Sequence, residues 1–272
     1  MKWLRTSLIA LAAASTPVYG QLAPTDRLPV DPNVTVGRLP NGLTYYIRVN
    51  KKPEARAELR LAVNAGSVLE DEKQLGLAHF VEHMAFNGTK NFAKHDLINY
   101  LESIGMRFGA DLNAYTSFDE TVYMLTIPTD TGKALEKGVQ ILEDWAHNVT
   151  FVPAEIEKER GVVIEEWRLG QGAEERMRDK YFPVLFRGSQ YAVRLPIGTK
   201  TNLETFKHED LLRFYRTYYR PELMAVIAIG DFDKNRVEQL IKTHFGSRPA
   251  SSNATPRASF PVPDHDSTLI AV

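Results

Sequence analysis

Short apolar runs along the chain predict several strands. They are rich in residues that suit a pleated, half-buried surface, and one run, residues 57–65, alternates between apolar and polar positions. Asn41 and Gly42 form a turn signal between the first two runs, and the polar residues 117–119 join another pair, so two hairpins are expected. The predicted strands cover residues 34–39, 43–49, 57–65, 109–116, 120–127 and 223–229.

Between these runs, longer segments have a helical pattern of apolar residues. Asn87 and Gly88 supply a stop signal for the first helix, and Pro153 suits the first turn of a later one. Strands interrupted by pairs of helices predict an α+β layer fold. The predicted helices cover residues 74–86, 94–104, 133–148, 153–177, 209–219 and 233–245.

The two ends of the chain differ in character from its middle. Lys2 and Arg5 precede an apolar run and a small-residue exit that ends at Gly20, which is the order of a secretory signal peptide, residues 1–20. The run is shorter than the roughly 20 apolar residues of a membrane-spanning helix, so we expect cleavage and no stable membrane anchor. Such a signal directs the chain across the inner membrane, and the expected location is the periplasm.

The remaining boundaries follow from composition. We expect an extended lead-in at residues 21–33, the main domain at residues 34–246, and a linker rich in Ser, Pro and Ala at residues 247–265. Residues 266–272 begin what reads as another strand, so the chain looks truncated inside a following region.

Charge and cysteine content narrow the possible partners and chemistry. The 33 basic and 34 acidic residues leave a net charge of -1, which gives no long-range attraction to nucleic acid or to an acidic membrane. The chain has no cysteine, which excludes a disulfide framework, a thiol nucleophile and a thiolate metal site.

The first predicted helix carries the candidate chemistry. His79 and His83 are four residues apart and share one helix face, where their ring nitrogens can hold a single ion. Glu82 projects near the same face, where it could reach a metal-bound water without itself being a metal ligand. A zinc ion lowers the pKa of its water and polarises a carbonyl, while a nearby carboxylate takes the proton. A solvated helix is the alternative, but the segment is otherwise apolar, and burying polar groups without a purpose is costly.

A third ligand must come from elsewhere in the chain, and the helix at residues 153–177 offers several glutamates. Glu159 and Glu166 are seven residues apart and therefore share a helix face, whereas Glu165 is turned away by about 100°. We predict Glu166 as the third ligand and Glu159 as the carboxylate behind a ligating histidine. A run of glutamates is also typical of a solvated helix face, and spacing alone leaves that alternative open.

These motifs resemble one known family. The order His79-x-x-Glu82-His83 is the inverted zinc-binding motif of the inverzincins, and its setting resembles the pitrilysin and insulinase family of peptidases. Glu159-x6-Glu166 is similar to that family's second motif, in which the later glutamate is the third ligand. Segments 112–116 and 218–221 extend the resemblance, which covers residues 34–245.

The resemblance implies a fold, a cofactor and a substrate-binding strand. The fold is a mostly antiparallel sheet flanked by helices, as in one half of a pitrilysin-type peptidase, with one Zn²⁺ per chain. The main chain of Asn113 and Ala114 would pair with an extended substrate. On the residues alone, an ordinary hairpin is the alternative.

The predicted function is a zinc-dependent endopeptidase that acts on peptides or unfolded polypeptide segments, with Glu82 as the general base. The resemblance also implies a second homologous half, which contributes an arginine and a tyrosine to substrate binding. This sequence does not contain that half, so a second half or partner chain is expected. Two alternatives remain: a non-catalytic or partner-dependent subunit that binds polypeptide, and a zinc hydrolase of a non-peptide bond. The intact Glu82 argues against the first of them.

Overall fold

A six-stranded sheet is the frame of the described residues in the computed structural model, which describes residues 29–250 and 255–271. Its strand order is β1-β2-β6-β3-β5-β4. Only β2 and β6 pair in parallel within this sheet, so the prediction of a mostly antiparallel sheet is confirmed. The strands are β1 (Val34–Arg38), β2 (Thr44–Val49), β3 (Arg56–Val63), β4 (Leu112–Thr116), β5 (Thr121–Pro128) and β6 (Met224–Gly230).

Eight α-helices accompany the sheet in the described part of the chain. Helix α3 packs against β3 and β5, α8 packs against β2, and α1 lies between β4 on one side and α4 and α7 on the other. The helices are α1 (Leu77–Met84), α2 (Asp96–Ser103), α3 (Ala134–His147), α4 (Pro153–Leu169), α5 (Ala173–Leu185), α6 (Lys200–Thr205), α7 (His208–Tyr218) and α8 (Lys234–Phe245).

Strand β4 occupies one edge of the sheet, and its register with β5 determines which of its main-chain groups are not hydrogen-bonded to β5. Hydrogen bonds from Ser117 N to Glu120 O (2.8 Å) and from Thr126 N to Asp111 O (2.7 Å) bracket the β4–β5 ladder. In an antiparallel ladder bonded residues alternate, so the main chain of Asn113 faces β5 and that of Ala114 faces the open edge.

Two secondary-structure predictions are wrong. The helix predicted at residues 153–177 is two helices, α4 and α5, because Gly170 and Gly172 flank a turn that helix propensity does not support. Residues 200–205, which no predicted helix covers, are also helical, since the Thr199 side chain accepts a hydrogen bond from Asn202 N and caps the start of α6.

A third secondary-structure prediction is wrong at the C-terminal residues. Residues 266–271 form no strand, although their sequence suits one, because no other strand of the described chain lies beside them to complete a ladder. Residues 255–265 have no regular structure and contact the domain instead. Arg257 donates to Asn64 O across 3.0 Å and to Asp119 Oδ1 across 2.7 Å.

The expected signal peptide, residues 1–20, and residues 21–28 of the lead-in lie outside the described residues. Among the helices that the structure does describe, none has the length and apolar character needed to cross a bilayer.

Candidate metal centre

Helix α1 carries the candidate ligands, and a buried carboxylate fixes its first turn. Gly76 precedes the helix with a φ of 91°, a left-handed conformation in which a side chain would be strained, and no side chain at this position caps the helix. Glu70 takes over that role: its two carboxylate oxygens accept hydrogen bonds from Gly76 N (3.0 Å) and Ala78 N (2.8 Å). The first turn of the helix is therefore held from outside the helix.

Three side chains predicted as ligands converge at one point. His79 Nε2 lies 3.1 Å from His83 Nε2 and 3.8 Å from Glu166 Oε1, and His83 Nε2 lies 3.5 Å from Glu166 Oε2. Tetrahedral zinc with bonds of about 2.0–2.2 Å needs ligand atoms about 3.3–3.6 Å apart. The observed separations bracket that range, so the three residues fit a zinc ion.

The ring of His83 makes a hydrogen bond with Glu159. His83 Nδ1 donates to Glu159 Oε1 across 2.7 Å, and Asn87 Nδ2 donates to Glu159 Oε2 across 2.7 Å. Burial lowers the pKa of His83, but the hydrogen bond to Glu159 and the neighbouring carboxylates outweigh it, and the net shift is upward. With Nδ1 committed to Glu159, the neutral ring presents the lone pair of Nε2 to the site.

His79 is held in the neutral form. Burial, reinforced by the proximity of His83, lowers the pKa of His79 to about 3. Its Nδ1 is buried, and no described residue makes a hydrogen bond to it. A neutral imidazole is the form that ligates a metal, so the protonation of His79 suits its predicted role.

Glu82 lies beside the three candidate ligands but outside their group. Its carboxylate is buried, and Thr116 Oγ1 donates to its Oε2 across 2.7 Å. Burial raises the pKa of Glu82, and the charge of Glu166 adds to this, against the opposing effects of Thr116 and His83. A raised pKa brings a carboxylate closer to the range in which it can both take up and release a proton.

The site opens into a cleft with a volume of about 690 Å³. It is lined by side chains of α1, of α4 and α5, and of the edge strand β4 with Asn113 and Ala114. Glu165 lies outside the cleft, is exposed, and pairs with Arg168. Other side chains lining the cleft are Phe86, Asn87, Phe108, Tyr115, Thr116, Val162, Arg178, Pro196 and Ile197.

Comparison with known proteins agrees with this geometry. The family model described as "Insulinase (Peptidase family M16)" matches residues 45–188, which include the three candidate ligands, Glu82 and Glu159, and the model "Peptidase M16 inactive domain" matches residues 205–272. The chain belongs to the insulinase family. The predicted family membership is thereby confirmed.

Relatives within the insulinase family include named zinc proteases. The chain is 39% identical over 244 residues to "Probable zinc protease PqqL" of Haemophilus influenzae, covering 89% of this chain and 26% of that protein. It is 45% identical over 233 residues to "Zinc protease PQQL-like" of Arabidopsis thaliana, covering 85% and 24%. The chain therefore spans about a quarter of the length of these relatives.

A solved structure supports the same insulinase fold. The first half of the periplasmic protease PqqL from Escherichia coli superposes with a TM-score of 0.82 at 39% identity, covering 88% of this chain and 51% of that one. The α+β fold predicted from the sequence, resembling one half of a pitrilysin-type peptidase, is confirmed.

Sequence reasoning missed several contributors to this insulinase-type site. Glu70, Asn87, Thr116 and Arg178 received no role in the site, although Thr116 is the last residue of segment 112–116, which carries part of the family resemblance. An acidic residue shortly before a predicted helix is a capping signal that could have pointed to Glu70. Thr116 and Arg178 become visible only when strand and helix are brought together in the fold.

Proposed function

We propose that this chain is the zinc-bearing half of an endopeptidase that hydrolyses peptides or unfolded polypeptide segments. The observation that carries the proposal is the convergence of two imidazole nitrogens and one carboxylate oxygen, with a second, buried carboxylate beside them. The names of the relatives, which are zinc proteases, support the same class of reaction.

In this proposal each residue has a distinct task. His79, His83 and Glu166 hold one zinc ion per chain, and Glu159 keeps His83 in the ligating tautomer. The bound ion supplies Lewis acidity, which activates water and polarises the scissile carbonyl. Glu82 accepts the proton of the attacking water and delivers it to the leaving amine, as general base and then general acid.

Strand β4 is the proposed substrate-binding edge. The main-chain groups of Ala114 face the open edge, while Asn113 Oδ1 accepts a hydrogen bond from Ala114 N across 2.9 Å. An extended peptide would take over that N–H donor, and Asn113 would then be free to bind the peptide through its side-chain amide. Recognition through the main chain gives binding with little sequence preference.

The proposal includes a place and a partner. A cleavable signal peptide at residues 1–20 would export the chain to the periplasm, and the related protease from Escherichia coli is described as periplasmic. Because the relatives are about four times longer than the matched region, we propose that a second homologous half or partner chain completes the substrate chamber.

Substitution of Glu82 tests the assigned base. Glu82→Gln keeps the size of the side chain and removes the proton acceptor, so zinc content should stay at one ion per chain while peptide cleavage is lost. Zinc is measured by atomic absorption and cleavage with a quenched fluorescent peptide, in the complete protein. Glu165→Gln is the matched control and should keep both. Cleavage that survives in Glu82→Gln would refute the base, and a zinc-free wild type would refute the metal site.

A further inference from the structure

Arg178 in α5 brings a permanent positive charge to the wall of the cleft. Among the described residues that line the cleft it is the only arginine or lysine, and the other charged side chains there are Glu82, Glu159 and Glu166. Metal binding and proton transfer, as proposed above, give Arg178 no task. Arg178 lines the same cleft as Asn113 and Ala114 of β4, which places it near the path of a peptide that pairs with that edge.

The guanidinium of Arg178 is only partly used by the protein. Its Nη2 donates to Glu175 one turn earlier on the same helix, and the guanidinium carbon lies 5.9 Å from the centre of the Phe182 ring. Its Nε is buried, and no described residue accepts a hydrogen bond from it. Glu175 and Phe182 thus hold the guanidinium in place, while the Arg178 side chain stays 34% exposed and lines the cleft.

The carboxylates already in the cleft do not supply the missing acceptor. Glu82 is bonded to Thr116 and Glu159 to His83 and Asn87, and Glu166 faces the two candidate histidine ligands. A guanidinium has five N–H donors, so Arg178 can bind a further carboxylate through charge-assisted hydrogen bonds besides the one to Glu175. Among the described side chains that line the cleft, the three glutamates repel a negative charge and Arg178 attracts one.

We propose that Arg178 determines substrate specificity by binding one carboxylate of the peptide that lies in the cleft. This inference rests on the proposed peptidase function, and it names the substrate class: peptides with an acidic residue at one fixed position relative to the scissile bond. The carboxylate belongs to an Asp or Glu side chain or to the C-terminus of a short peptide, since both offer the same chemistry. Main-chain pairing along β4 supplies the remaining, unselective part of the binding.

The test uses sets of peptides that are identical except for Glu, Gln or Lys at one position, moved in turn along the sequence. Binding to the zinc-loaded complete protein carrying Glu82→Gln is measured by fluorescence anisotropy, and kcat/KM is measured with the wild type. At one position the Glu peptide should bind at least tenfold more tightly than the Gln peptide. Each peptide is also compared with a free and with an amidated C-terminus, which distinguishes binding of a side-chain carboxylate from binding of the C-terminal carboxylate.

Variants of Arg178 identify the residue responsible. Arg178→Gln should abolish the preference for Glu, and Arg178→Glu should reverse it in favour of Lys at the same position. Arg176→Glu is the matched control, because Arg176 is exposed on the same helix and does not line the cleft. It should keep the wild-type preference. Circular dichroism and zinc content verify that each variant folds. If Arg178→Glu does not fold, the loss of the Glu preference in Arg178→Gln tests the proposal by itself.

The outcomes separate this inference from the proposed function. Equal binding of Glu, Gln and Lys peptides at every position by a protein that cleaves them overturns the role of Arg178 and leaves the peptidase intact. Equal weakening of all peptides in Arg178→Gln also overturns it, because that result indicates a structural role. A Glu preference that depends on Arg178 in a protein that cleaves no peptide supports the binding site and refutes the peptidase.

Discussion

The hydroxyl of Thr116 donates a hydrogen bond to Glu82 Oε2 across 2.7 Å. This bond joins the last residue of the edge strand β4 to the buried carboxylate of α1. The strand proposed to hold the substrate and the residue proposed to move its proton are therefore fixed relative to each other by one side chain. A peptide aligned on β4 is thereby aligned with Glu82 as well.

Removing that hydroxyl should reduce turnover without removing the metal. Thr116→Val keeps the shape of the side chain but leaves the Glu82 carboxylate without its donor, and hydrogen bonds to charged groups are worth about 1.5–3 kcal/mol. We expect kcat to fall about tenfold or more, with zinc content unchanged. Thr116→Ser restores the hydroxyl and should recover most of the activity. Loss of zinc in Thr116→Val would contradict this assignment.

The two neighbouring glutamates of α4 should behave differently towards zinc. Glu166 lies 3.5 Å from His83 Nε2 and 3.8 Å from His79 Nε2, whereas Glu165 pairs with Arg168 on the exposed side. Glu166→Ala should lower the zinc content sharply under competition with a chelator, and Glu165→Ala should retain wild-type content. Equal losses in the two variants would mean that the wrong carboxylate is assigned as the ligand.

Loss of the Glu70 carboxylate should destabilise the protein. Glu70→Ala leaves the N–H groups of Gly76 and Ala78 without their acceptor in a buried place, which costs about 2–4 kcal/mol of unfolding free energy. Denaturant unfolding of metal-free protein measures this directly. Glu54→Ala removes an exposed carboxylate and should change the unfolding free energy by less than about 0.5 kcal/mol. A loss of that small size in Glu70→Ala would show that α1 needs no cap.

His147 should make the fold less stable in mild acid. Burial, with the charge of Arg248, lowers the pKa of His147 to about 4 in the folded chain, against about 6.5 when unfolded. The unfolded state binds the proton first as pH falls, so stability decreases from pH 6.5 to pH 4. Between pH 7 and pH 5 this contribution is about 2 kcal/mol.

A variant without the titrating ring isolates that contribution. His147→Gln should lose about 2 kcal/mol less unfolding free energy between pH 7 and pH 5 than the wild type, as followed by denaturant unfolding at both values. The other titrating groups are the same in the two proteins and cancel in the difference. Parallel pH profiles would show that His147 is protonated as readily in the fold as outside it.

Local spacing predicts which candidate side chains share a helix face, because a helix converts sequence distance into angle. His79 and His83 share a face at a separation of four residues, and Glu159 and Glu166 share one at seven. The bonds from Glu70 to the start of α1 and from Thr116 to Glu82 depend on how separate elements meet. No local period encodes such contacts.

The errors in the predicted secondary structure also arise because local sequence does not show how separate elements meet. Glutamates and apolar residues continue through Gly170 to Met177, and their pattern alone cannot show that α4 ends and α5 turns away. The apolar residues after Ser267 have strand propensity, but a strand needs a neighbour, and whether one is present is a property of the whole fold.

Helix α5 contributes no fully buried side chain, and Met177, Tyr181 and Leu185 are each more than two-fifths exposed at 60%, 42% and 54%. In contrast, α1 buries most of its residues and is held at its first turn. Displacing α5 therefore costs less free energy than displacing α1. We therefore expect the part of the cleft formed by α5 to shift and accommodate side chains of different size, while the candidate ligands on α1 keep their positions.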